Sequence, residues 1–193
     1  MIKGLAITTL AAIAATPALA DWNVDNSASR VSFVTTKAGQ VAEVHRFHEL
    51  AGSIGRDGAI SITIDLASVD TLIPVRDERM REMLFETAQF PEAVLTGQLD
   101  MAAVDALSAG DTAELAVEAA LQMRGQTLPI TFSMLAAKLS DERLVVSSLQ
   151  PVIVNAGQVG LAAGVEALRE VAGLDAISPA VPVSVVLTFD EGM

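Results

Sequence analysis

The chain has no cysteine and no tyrosine, a single tryptophan and two histidines in 193 residues. The missing thiol excludes disulfide stapling, thiolate nucleophiles, cysteine-ligated metals and lipid attachment to an N-terminal cysteine. Aromatic residues make up only 4%, too few for the paired aromatic girdles of an outer-membrane barrel. Bases are scarce: 12 Lys and Arg face 24 Asp and Glu, for a formal net charge of −12. Such a surface repels nucleic acid and anionic headgroups, so no nucleic-acid partner is expected. It does not bear on an apolar guest enclosed in a cavity. Beyond the first twenty residues no apolar run reaches bilayer-spanning length, and stable membrane insertion is not expected. Motifs of catalysis are also missing. There is no GxSxG elbow and no phosphate-cradling glycine loop after a strand. Abundant carboxylates single out no acid–base pair. The expectation is a binding protein without cofactor or metal, not an enzyme.

What is present begins with a leader. Lys3 supplies a positive start, Leu5 to Ala15 is an apolar run, and Pro17 precedes the small-x-small sequence Ala18-Leu19-Ala20. This pattern predicts a secretory signal over 1–20, cleaved after Ala20. The run is too short to cross a bilayer as a helix. Residues 21–193 then form one exported, periplasmic domain large enough for a sizeable core.

That domain is written in alternating segments. Val31 and Phe33 flank Ser32, and Ile60, Ile62 and Ile64 alternate with Ser61 and Thr63. Leu115, Val117, Ala119, Leu121 and Met123 share a parity, as do Ile130, Phe132 and Met134. The clearest row is Val181, Val183, Val185, Leu187 and Phe189. A period of two puts each row on one side of a sheet. Arg56-Asp57-Gly58 and Arg124-Gly125-Gln126 read as hairpin turns, and Pro91 as the start of a strand.

Two stretches break the rhythm. Val75 to Phe85 follows Pro74 and carries Met80, Met83 and Leu84 at helical spacing. Gly157 to Leu174 carries a looser stripe of Val159, Leu161, Val165, Leu168 and Val171, with Gly164 as a weak point or a close-packing contact. About eight strands and two short helices make either a sandwich or a closed barrel, and the long rows favour the barrel.

Four blocks, taken together, resemble the YceI-like family of lipid-binding envelope proteins. They are DWNVDNSASRVSFVTTK at the start, IDLASVDTLIPVRDERMREMLFETAQFPEAVLTG in the centre, LQMRGQTLPITF around the Arg-Gly turn, and the tail from VNAGQVGLAAG to VVLTF. The resemblance spans residues 21–193. It implies an all-β, extended, lipocalin-like antiparallel barrel with a long internal pocket, found in the periplasm or secreted. It also implies binding of polyisoprenoid chains, including quinone-type lipids. The poverty in aromatics departs from many relatives and argues against ring stacking on a headgroup.

The candidate lining is Val31, Phe33, Phe47, Ile62, Ile64, Leu95, Leu121, Phe132, Val185 and Leu187, with Met80, Met83, Leu84 and Phe85 capping one end. A barrel of this size is either filled by its own side chains or able to hold one ligand, and alternation alone leaves both open. Arg76, Asp77 and Arg79 read as a solvated helix face, with headgroup contact as the alternative. His45 and His48 fall on opposite faces of a strand, which disfavours a shared metal and leaves surface histidines as the default. The leading expectation is periplasmic binding, storage or transport of an isoprenoid lipid. An envelope interaction module with a filled barrel, or an enzyme on an isoprenoid-like substrate using His45 or His48, are the alternatives. Paired protomers would accord with homodimers being the commonest oligomer.

Overall fold

A computed structural model of the chain describes residues 20–192. The expected leader lies outside the described residues, apart from Ala20, which opens the first strand. Twelve strands form the sheet: β1 Ala20–Val24, β2 Arg30–Lys37, β3 Val41–Phe47, β4 Leu50–Gly55, β5 Ala59–Asp65 and β6 Val69–Asp70 in the first half. The second half has β7 Glu92–Gln98, β8 Thr112–Met123, β9 Gln126–Ser140, β10 Arg143–Ser148, β11 Val152–Asn155 and β12 Ala180–Glu191. A ring of eight closes in the order β1-β4-β5-β7-β8-β9-β10-β12, with β12 pairing back to β1. The fold is an antiparallel barrel, as the family resemblance implied.

The remaining strands continue members of that ring. β1 and β2 both run antiparallel to β12, meeting it at Phe189–Glu191 and Val183–Val186. A 3-10 turn at Asn26–Ala28 separates them, where Asp25 accepts from the Ser27 backbone N–H at 3.0 Å. β10 and β11 follow the other edge of β12 in the same way. β3 continues into β4 across His48–Glu49, and β5 reaches β6 through a second 3-10 turn, Leu66–Ser68, capped by Asp65. Short polar residues that satisfy the local backbone make such interruptions cheap. The chain is thus one up-and-down barrel whose long strands kink near mid-height.

On one side of the kinks the inward rows meet. Phe189, Leu144, Ala136 and Val104 are almost completely buried, with Trp22, Ile54 and Ile62 around them. Thr188 is also buried, with its hydroxyl donating to the Ala28 carbonyl at 3.0 Å beneath the first 3-10 turn. Arg143 straps this closed end by reaching Asp25 at 2.7 Å and Asp190 at 2.8 Å.

Among the described residues three helices, one more than expected, occupy the connections: α1 Pro74–Arg79, α2 Met101–Asp105 and α3 Ala162–Val171. α2 is a single turn capped by Asp100. α1 starts on Pro74 at its first turn and passes directly into a π-helical turn, Met80–Phe85, which ends at left-handed Glu86. The hairpin turn at Arg124-Gly125 has positive φ at both residues, 47° and 73°, the mirror-image turn that suits strand twist.

Candidate functional site

On the other side of the kinks the rows do not meet. β6 pairs with β3 at only two positions and, among the described residues, no strand joins it to β7, so α1, the π turn and α3 close the wall there. They enclose a cavity of about 410 Å³. Its wall includes Val31 and Phe33 of β2, Phe47 of β3, Ile64 of β5, Leu95 of β7, Leu121 of β8, Phe132 of β9 and Val185 of β12. Met80, Leu84 and Phe85 contribute from the π turn. Phe33 stacks on Phe47 at 5.2 Å, and Phe85 tilts against Phe47 at 5.7 Å.

Three expected lining residues are placed elsewhere. Ile62 and Leu187 share the correct parity but lie beyond the kinks, where they are buried against the closed core. Met83 leaves the wall because π winding brings residues four and five apart onto one side, so Met80, Leu84 and Phe85 line up without it. Its backbone carbonyl instead lies directly beneath Gly164 of α3.

Other wall residues were not expected. Val159, Leu161, Val165, Leu168 and Val171 belong to the loose stripe of the second helical stretch, which faces the cavity. Val152 and Val154 come from the four-residue β11, too short to show a period. Arg124 does more than serve its turn. It donates to the Leu84 carbonyl at 2.9 Å and to Glu86 at 2.7 Å, and lies over Phe90, tying the π turn to the β8–β9 hairpin.

One strip of wall is polar. The inward row of β2 passes from Val31 and Phe33 to Thr35 and Lys37, and that of β3 passes from Phe47 to His45 and Glu43. Glu43 binds Lys37 at 2.6 Å and Arg76 of α1 at 2.7 Å, and those hydrogen bonds hold its carboxyl below the usual range. Arg76 also donates to the Thr71 carbonyl at 2.7 Å. Its helix face is therefore not simply solvated, as the charge run suggested, but closes on the cavity. Asp77 accepts from the Thr71 backbone N–H at 2.8 Å and hydroxyl at 2.5 Å.

The histidines differ from expectation in one respect. His48 is exposed and meets Asp70 at 2.9 Å, where the Leu72 N–H, His48 and Arg46 hold that carboxyl at a pKa of about 2. His45 is no surface residue. It is 3% exposed, because it pairs with Phe33 on the inward face, and its Nε2 lies 2.9 Å from the Thr35 hydroxyl. Burial, reinforced by the Arg76 charge, lowers its pKa from the ordinary histidine value. Its Nδ1 and the Nε of Arg76 find no hydrogen-bond partner among the described residues. Among the described residues no three His, Asp or Glu come together as a metal site. The arrangement is suited to holding an apolar chain with one polar strip beside it.

A family model described as a YceI-like domain matches residues 22–189. A search of curated proteins finds no match. Among solved structures, a polyisoprenoid binding domain from Saccharophagus degradans implicated in plant cell wall breakdown is 38% identical, with a TM-score of 0.87 over 89% of this chain and 99% of that one. BcnA of Burkholderia cenocepacia is 17% identical, with a TM-score of 0.65 over 86% of this chain and 98% of its own. A YCEI protein of Campylobacter jejuni is 13% identical, with a TM-score of 0.56 over 77% of this chain and 85% of its own. These last two share the fold. With residues 22–189 matched and most of the cavity wall drawn from the blocks that carried the resemblance, the chain belongs to the YceI-like family.

Proposed function

We propose that this protein binds a long-chain isoprenoid lipid, of polyprenyl or quinone type, inside the barrel, and stores or carries it in the periplasm. The observation that carries the reading is the open, apolar half of the barrel. A core filled by its own side chains, as an interaction module would have, leaves no such space. The polyisoprenoid-binding relative from Saccharophagus supports the same ligand class. Each buried CH₂-sized group contributes about 0.8 kcal/mol, so each isoprene unit of five carbons contributes up to about 4 kcal/mol before ordering costs. Contact area alone therefore suffices, and the reading needs no chemical step. The strip of Thr35, Lys37, Glu43 and His45 would receive the polar end of the lipid, with the tail against Phe33, Phe47 and Phe132. Export rests on the leader pattern over 1–20.

The test is to purify the protein from its native envelope without detergent, extract it, and analyse protein and extract by mass spectrometry. The expected result is a co-purifying polyprenyl or quinone-type lipid and a polypeptide starting at Asp21. Protein that carries no lipid, and takes up neither polyprenyl nor quinone probes afterwards, would refute the binding function.

A further inference from the structure

We propose that the apolar rim of the cavity mouth docks on the surface of a lipid bilayer, so that the cavity opens directly onto lipid; this rests on the lipid-binding reading. The mouth is identified by residues that both line the cavity and face solvent: Ile73, Val75 and Val171, exposed at 43%, 53% and 45%. Beside them stands Leu72, which is outside the cavity wall and 81% exposed. Its φ is 62°, a left-handed backbone that leucine rarely adopts. Strain of this kind persists only where the surroundings impose it, and it concentrates at functional sites.

The surroundings are specific. The Leu72 N–H donates to Asp70 at 2.8 Å, buried Thr71 is held by Asp77 and Arg76, and Pro74 stiffens the next turn. The polar network is spent on the backbone, and the result is a leucine held out into solvent at the entrance of an apolar cavity.

Electrostatics permit the contact. The chain carries −12, yet the carboxylates beside Leu72 and the polar strip are engaged: Glu43 by Lys37 and Arg76, Asp70 by Arg46 and His48, Asp77 by Thr71. Arg79 adds a cation to the cavity wall, against exposed Glu78 on the same helix. On the α1 side of the mouth, where Leu72, Ile73 and Val75 stand, these charges nearly balance; on the α3 side Arg169 faces exposed Glu166, Glu170 and Asp175, so it is the Leu72 side that approaches phospholipid headgroups. Interfacial binding scales with the apolar area that enters the headgroup region, and four exposed apolar side chains give a reversible contact rather than an anchor. They fall short of the roughly 800 Å² per partner of a stable protein interface, which argues against a second copy as the occupant. Docking also removes the cost of passing an isoprenoid through water, which scales with its apolar area.

The experiment compares wild-type protein with Leu72→Asn, since asparagine tolerates the left-handed backbone and residue 72 is not in the wall. Delipidated protein is sedimented with vesicles of phosphatidylethanolamine and phosphatidylcholine, whose headgroups carry no net charge. Uptake of a fluorescent farnesyl probe is measured separately without vesicles. The expected result is vesicle binding weakened about tenfold by the substitution, with unchanged probe uptake. Equal sedimentation of both proteins, or none by the wild type, overturns the docking proposal. A concentration-dependent dimer abolished by Leu72→Asn would assign the rim to a second copy and overturn it too. Vesicle binding that persists while no probe is taken up would leave docking in place and refute the lipid-binding reading instead.

Discussion

Gly164 lets α3 rest directly on the backbone of the π turn. α3 crosses the π turn there, and a methyl group on Gly164 would lie 2.7 Å from the Leu84 Cα and 2.7 Å from the Met83 carbonyl oxygen. Carbon atoms prefer about 3.5–4.0 Å, so α3 would have to retreat by about 1 Å. Two effects of Gly164→Ala oppose each other. Alanine favours the helix by about 1 kcal/mol, whereas overpacking costs about 1–3 kcal/mol. The obstructing atoms are backbone and cannot rotate away, so the upper part of that range applies. The expected outcome is a net loss of about 1–2 kcal/mol, read as a lower urea midpoint at unchanged slope and a fall in Tm of about 2–8 °C. Because Val165 and Leu168 line the cavity from α3, probe affinity should fall in parallel. A Gly164→Ala protein stabilised by about 1 kcal/mol, as an exposed helical glycine would give, would refute the contact.

Leu144 is fully buried at the closed end, so Leu144→Ala should cost about 2–5 kcal/mol in urea unfolding without changing the cavity; a loss under about 1 kcal/mol would contradict the packing described. Val183 lines the cavity and is only half-buried. Val183→Trp should therefore lower long-chain probe affinity about tenfold or more while Tm is held, and undiminished binding would place the ligand elsewhere. His45 has a folded pKa below its ordinary 6.5, so the unfolded chain takes the proton first. Its contribution to stability is complete above about pH 6.5 and declines as pH falls towards the folded value. Lys37, Glu43, Arg76 and Asp77 act on that titration, so the quantity to measure is the difference between wild type and His45→Gln from about pH 7.5 to about pH 5. The wild type should lose the extra stability, and parallel profiles would show that His45 is not buried neutral.

Much of the barrel was written locally. The rows Ile130–Met134 and Val181–Phe189 chose their inward faces by period, Arg124-Gly125 and Asp57-Gly58 chose hairpins by backbone freedom, and Pro74 chose the start of α1 by its missing donor. The loose stripe of α3 was visible too, but nothing within it states which surface it will face. His45 illustrates the same limit. Its strand parity was legible, yet its burial depends on β2 lying beside it and α1 lying across it.

Sequence by itself determined which side of each strand is apolar, where the chain turns, and, through four blocks in order, the family. Tertiary structure alone decided that two halves of one barrel differ: the rows converge on Leu144 and Phe189 at one end and part around a cavity at the other. The reason is physical. A period of two fixes the direction of a side chain, but the distance to whatever stands opposite is set by kinks, closure and helices drawn from distant parts of the chain.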